Sequence, residues 1–193
     1  LNRVVRIIQD LLSSTRQRKP EPTWYPAERL IEPVVALMEP GYHAKDVVLQ
    51  AAVTPALLVW ADAEKIHQVL VNLLTNALAA TGAGGRVTVT VTLRQASADE
   101  RDRATCTGRS DLGTVVTLVV SDSGCGMPQE DLERAFQPFF TTKAVGKGTG
   151  LGLFLSREAV SAHGGSLTLA SEVGIGTTVT VVLPGLPSDS AAA

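Results

Sequence analysis

The sequence predicts an α+β protein built as a two-layer α/β sandwich, one mixed sheet covered on one face by helices. Segments with strand-like alternation outnumber what a helical bundle allows, and apolar stripes of helical period fall between them. No repeat of fixed period runs through the 193 residues, which removes solenoids and propellers. Hydrophobic residues at 45% and charged residues at 19% suit a globular chain with a sizeable core and exclude disorder of the whole chain. Seventeen Lys and Arg against nineteen Asp and Glu give a formal charge of -2, so no global basic field draws nucleic acid. Any anionic ligand must be held by local geometry.

Leu1, Val4, Val5, Ile8, Leu11 and Leu12 recur at helical spacing ahead of the polar, Pro-bearing stretch Ser13 to Pro22. Residues 1–22 therefore read as an amphipathic helix and linker, either the end of a preceding helical domain or a surface helix of the main one. A short strand, Thr23 to Tyr25, leads into a helix from Pro26 to Met38 that Pro40-Gly41 is expected to break. Strands Val47 to Val53 and Leu57 to Trp60 follow. Asp62 then stands as the N-cap of a helix whose apolar face is Ile66, Val69, Leu70, Leu73, Leu74, Ala77 and Leu78, stopped by Thr81-Gly82 and Gly84-Gly85.

Arg86 to Leu93 alternates Val or Leu with Thr, the pattern of a half-buried strand, and Thr114 to Val120 is a second strand. Between them Gln95 to Leu112 reads as a polar, mobile connection. Gln129 to Phe136 is helix-like, and a Gly-rich stretch precedes a helix from Leu151 to His163. A hairpin follows, Ser166 to Ser171 and Thr177 to Leu183, turned at Gly174 and Gly176. Residues 185–193 read as a frayed, disordered tail.

Cys106 and Cys125 form no disulfide framework and share no metal-ligand spacing with the three histidines, so a reducing, cytoplasmic setting is expected. No apolar run approaches the roughly 20 residues needed to span a bilayer. With Leu rather than Met at position 1, the chain is expected to be a piece of a longer protein, whose other parts are free to carry a membrane anchor.

Three segments carry chemistry. Asn72 and Asn76 lie four apart on one helix face with Gln68 and Lys65. Alone they read as solvated amides; beside a buried stripe they offer neutral oxygens suited to magnesium that leans on phosphates for the rest of its shell. Asp122-Ser123-Gly124-Cys125-Gly126 ends a strand of Val and Leu. It is either a plain turn or a carboxylate placed to accept from an exocyclic amine, with glycines admitting a flat ring. Gly146-Lys147-Gly148-Thr149-Gly150-Leu151-Gly152 opens a helix and either links flexibly or presents bare amides to a polyphosphate. It matches neither the Walker A loop nor the Rossmann fingerprint.

In this order the segments resemble the ATP-binding catalytic (HATPase) domain of sensor histidine kinases, in the GHKL superfamily shared with gyrase, Hsp90 and MutL, over residues 23–184. The matching boxes are Gln68 to Ala77 (N box), Asp122 to Gly126 (G1), Ala135 to Lys143 (F box), Gly146 to Leu153 (G2) and Gly174 to Thr177. The resemblance implies a Bergerat-type ATP-binding fold and, as cofactors, ATP and Mg2+. It implies that Asn76 binds the metal with help from Asn72, and that Asp122, flanked by Gly124 and Gly126, reads the adenine amine with Thr177 nearby. Amides of Gly148, Thr149, Gly150, Leu151 and Gly152 then face the phosphates, with Lys143 and Lys147 within reach. Residues 141–150 become a lid, with Phe139 and Phe140 as core aromatics anchoring it.

Two departures from the family matter. Many members place Lys three residues after the second N-box Asn, where this chain has Ala79. The family's phosphoacceptor His precedes an acidic residue, whereas His43, His67 and His163 precede Ala44, Gln68 and Gly164. The expected partners are therefore a helical dimerisation and phosphoacceptor domain of the same protein, a second copy in a full-length homodimer, and indirectly a response regulator. Asn72 stands where the gyrase branch has Glu, and an amide cannot act as a general base. The rival readings are a GHKL ATPase, an anti-sigma-type serine kinase and a nucleotide-dependent interaction module.

Overall fold

The computed structural model describes residues 20–105, 113–144 and 148–192. The helix expected at the start, together with Cys106, Gly146 and Lys147, lies outside the described residues. In chain order the elements are β1 (Thr23–Pro26), α1 (Ala27–Ala44), β2 (Val48–Val53), β3 (Leu57–Ala61), α2 (Ala63–Ala80), β4 (Arg86–Gln95) and α3 (Ala98–Thr105). They continue with β5 (Thr114–Asp122), α4 (Gln129–Arg134), α5 (Gly152–Ala162), β6 (Ser166–Glu172), β7 (Gly176–Pro187) and a 3-10 turn, Ser188–Ala192.

The strands form one mixed sheet in the order β1-β3-β7-β5-β4-β2, with β6 also paired to β7. Among the described strands the β2–β4 pair alone is parallel. β7 is long enough to take two partners end to end on one edge, β6 along Gly176 to Val182 and β3 along Gly185 to Pro187. Alternation decides which face is buried: Val87, Val89 and Val91 of β4 and Val116, Leu118 and Val120 of β5 turn toward the helices, while Thr90 and Thr92 are exposed. Against them α1 and α2 present Leu30, Ile31, Ile66, Leu70, Leu73 and Leu74, all at 2% exposure or less. Among the described residues the opposite face carries a small buried cluster of Ala96, Val115 and Val182.

Three expectations are corrected. α1 does not break at Pro40-Gly41 but runs to Ala44. Tyr42, 1% exposed, donates its hydroxyl to the Leu74 carbonyl at 2.7 Å and pins the last turn against α2. Pro33, also inside α1, has no N–H for the Arg29 carbonyl, and His67 Nε2 reaches that oxygen instead at 3.3 Å. The connection after Gln95 is not structureless, since Ala98–Thr105 is helix. Residues 185–187 are not tail but the end of β7: Gly185 lies where an added Cβ would collide with Val116, so only glycine lets β3 pair there. Among the described residues no helix is long and apolar enough to cross a membrane.

Candidate functional site

α2 is the spine of the site. Asp62 caps it, accepting from the Lys65 amide at 3.4 Å, and the buried stripe fixes its rotation against the sheet. Asn72, Asn76 and Ala80 then recur every four residues along one flank, over about 12 Å of helix. Each meets a different segment. Asn72 Nδ2 donates to Ser156 Oγ at 2.9 Å, and Gly152 packs so closely that an added Cβ would strike Asn72 Oδ1. Asn76 Oδ1 accepts from Lys143 Nζ at 2.7 Å. The Ala80 carbonyl accepts from the Cys125 amide at 3.2 Å, and a Cβ on Gly124 would lie 2.7 Å from it. Three segments distant in sequence thus dock in order on successive turns of one helix.

Asp122 ends β5 beside Thr177, its register partner on β7. Asp122 Oδ1 accepts from the Gly124 amide at 2.9 Å and the Thr177 amide at 3.2 Å, so Oδ2 is used by neither. Burial pushes the carboxyl pKa up, and the two amide bonds offset this only in part. Gly176 must be glycine, because its φ is +140° and a Cβ would collide with the Asp122 carbonyl. Ser171 closes the corner: its Oγ donates to the Gly176 carbonyl at 3.0 Å, meets Thr177 Oγ1 at 2.9 Å and accepts from the Met127 amide at 2.8 Å.

The glycine segment reaches the site through α5, which begins at Gly152 with no side-chain cap, so its first amides and the positive end of the helix dipole stand open. Gly150, at φ +73°, lies against the Phe139 backbone too closely for any side chain. Thr149 Oγ1 faces the Leu151 amide at 3.5 Å, and a Cβ on Gly148 would lie 2.8 Å from Thr141 Oγ1. Phe139 is not a core aromatic: it is 56% exposed and holds φ +66°. Its backbone, locked against Gly150, is what docks, which leaves the ring free. Phe140 instead lies under the Arg134 guanidinium at 4.3 Å.

Sequence reasoning missed three contributors. Ser156 follows Gly152 by one turn of α5, and Ser171 sits opposite Thr177 in the β6–β7 register. Both signals appear only once the pairing is known. Lys45 donates to the Leu78 carbonyl at 2.6 Å and the Ala79 carbonyl at 3.4 Å, covering the end of α2, and nothing in the local sequence marks it.

The donor set fits magnesium held through a nucleotide. Among the described residues no cluster of three or more His, Cys, Asp or Glu stands ready for a metal. Asn76 Oδ1 already serves a cation, the Lys143 ammonium. One neutral oxygen suits an ion that draws its remaining ligands from phosphates and water.

An acidic strand end, uncapped helix amides and two asparagines gathered along one helix define an ATP-binding catalytic domain of the GHKL class. The chain belongs to the histidine kinase-, DNA gyrase B- and HSP90-like ATPase family, whose model matches residues 61–187, and within it to the catalytic domains of histidine kinases. It is 31% identical over 184 residues, 95% of its length, to the sensor histidine kinase ZraS of Escherichia coli (strain K12), of which it spans 35%. It is 44% identical over 130 residues, 66% of its length, to the sensor kinase CckA of Brucella abortus (strain 2308), of which it spans 13%. The solved catalytic domain of histidine kinase ThkA superposes with a TM-score of 0.68 at 30% identity, over 85% of this chain and 95% of that one. Full-length ShkA in complex with AMPPNP superposes with a TM-score of 0.74 at 26% identity, over 96% of this chain and 36% of that one.

Proposed function

We propose that this chain binds Mg-ATP and donates the γ-phosphoryl group to a histidine on an adjacent helical domain, as the catalytic part of a cytoplasmic two-component sensor kinase that works as a homodimer and passes its signal to a response regulator. The observation that carries this is the docking of three nucleotide-handling segments on successive turns of α2, at Asn72, Asn76 and Ala80. Asp122 accepts from the adenine amine through Oδ2, with Thr177 beside it and Gly124 and Gly126 giving the ring room. The open amides of Gly148 to Gly152 hold the phosphates, and Lys143 and Lys147 add positive charge there. Asn76, helped by Asn72, would hold the metal, and the ion would supply charge neutralisation to the phosphates.

The identity of residue 72 favours transfer to a protein side chain over hydrolysis. Asn72 Nδ2 is committed to Ser156, and a carboxamide cannot take a proton from water. The acceptor imidazole is itself the nucleophile: its nitrogen forms the bond to γ-phosphorus as the bond to the β-bridging oxygen breaks and ADP leaves. The domain contributes position and electrostatic stabilisation. Incubated with γ-labelled ATP, the isolated chain should incorporate no label, whereas adding a helical domain that carries His followed by Glu or Asp should label that domain. Stable labelling of the chain alone contradicts the reading.

A further inference from the structure

Lys143 and Asn76 are 67 positions apart, yet the ammonium lies 2.7 Å from Oδ1. The approach is built by neighbours: the Lys143 amide donates to Thr141 Oγ1 at 3.2 Å, and Gly148 lies against the lysine stem, where an added Cβ would be 3.3 Å from Lys143 Cδ. Among the described residues no carboxylate pairs with this ammonium. A full positive charge is thus held by a neutral oxygen, the oxygen assigned to the metal in the reading above.

We propose that Lys143 occupies the cation position at Asn76 in the nucleotide-free domain and surrenders it to magnesium when the metal-bound triphosphate arrives. This rests on the nucleotide-binding reading. The amide oxygen has two lone pairs, but a divalent ion and an ammonium sharing it would repel each other at contact distance, so the two exclude one another. The arriving triphosphate supplies the compensating partner, since the displaced ammonium stays beside Gly148, where the phosphates are to be held. Lys143 is therefore a positioning residue. It keeps Asn76 turned toward the site while no metal is present, and it offers positive charge to phosphates that arrive without one.

Lysine acetylation by an N-hydroxysuccinimide ester, read by mass spectrometry on the free chain, tests the resting state without nucleotide. Asn76→Ala should speed acetylation of Lys143 by about three- to tenfold, the loss of a partly solvated charge-assisted bond, with Lys45 unchanged as internal control. An unchanged Lys143 rate overturns the proposal. If Asn76→Ala does not fold, Asn76→Asp serves: slower acetylation of Lys143 supports the contact and an unchanged rate overturns it. Calorimetry tests the exchange. With Lys143 able to stand in for the metal, the wild type should lose less ATP affinity on magnesium removal than Lys143→Met, and equal losses in both overturn the exchange. If the wild type binds no Mg-ATP at all, the function reading fails while the acetylation result stands.

Discussion

Asp122 Oδ1 takes two amide hydrogens, yet burial still holds its carboxyl pKa above the ordinary 3.8. The folded chain then keeps this proton to higher pH than the unfolded chain does. Stability from this group accordingly falls as pH rises from 3.8 through the raised value, and at neutral pH the buried charge opposes folding. Asp122→Asn retains Oδ1 for both amides and removes the charge. Its Tm at pH 7 should equal or exceed that of the wild type, while Mg-ATP affinity falls by about tenfold or more, because an amide nitrogen now faces the adenine amine. A variant that melts lower and binds normally would reverse this account of Asp122. Asp122 and Asn76 stand out in the sequence through short local patterns, and Thr177 through the family resemblance alone. Ser156 and Ser171 were not, since a serine acquires its role from whatever the tertiary pairing sets opposite it. Phe139 misled because an aromatic side chain is ordinarily core, whereas here the site uses its backbone.

α3 shows how a visible signal can be outweighed by composition. Ser97 Oγ accepts from the Glu100 amide at 3.3 Å while Glu100 Oε2 accepts from the Ser97 amide at 2.8 Å, a reciprocal cap at a helix start. The Ser-x-x-Glu spacing was present in the sequence, but the polar run around it read as a loop. Arg94 strengthens the start with two bonds to Glu100, at 2.8 and 2.6 Å, and holds that carboxyl at about 2. Because the shift is downward, the pair's contribution is complete above 4.5 and is lost as pH falls toward 2. Ser97→Ala should destabilise α3 by about 1 kcal/mol. Hydrogen exchange should speed over Ala98–Thr105 alone, with Mg-ATP binding unchanged; equal protection in the variant removes the cap from the account. The missed continuation of α1 has the opposite origin. Pro40 and Gly41 are strong local breakers, and only the buried Tyr42 bond to another helix overrides them.

At the scale of the molecule, α2 and α5 are tied at two places, by Asn72 with Ser156 and by Asp62 with His163. His163 is fully buried; Nε2 accepts from the Asp62 amide at 3.0 Å, which leaves Nδ1 to donate to the Ala159 carbonyl at 2.7 Å. The helix carrying the asparagines and the helix offering its open amides are therefore fixed to each other at two points. Layering and the run of helices and strands, α3 and the last turns of α1 excepted, followed from periodicity and from breaker residues. The sheet order did not: nothing in Leu57–Ala61 announces that it joins the far end of β7, since that contact depends on Gly185 admitting two strands where a side chain would leave room for one. The central claim is that the segments gathered on α2 serve a single triphosphate. Calorimetric titration with Mg-ATP should give one site per chain, weakened by about tenfold or more in each of Asn76→Ala, Asp122→Ala and Gly152→Ala. Wild-type affinity in the folded form of any one of them would contradict it.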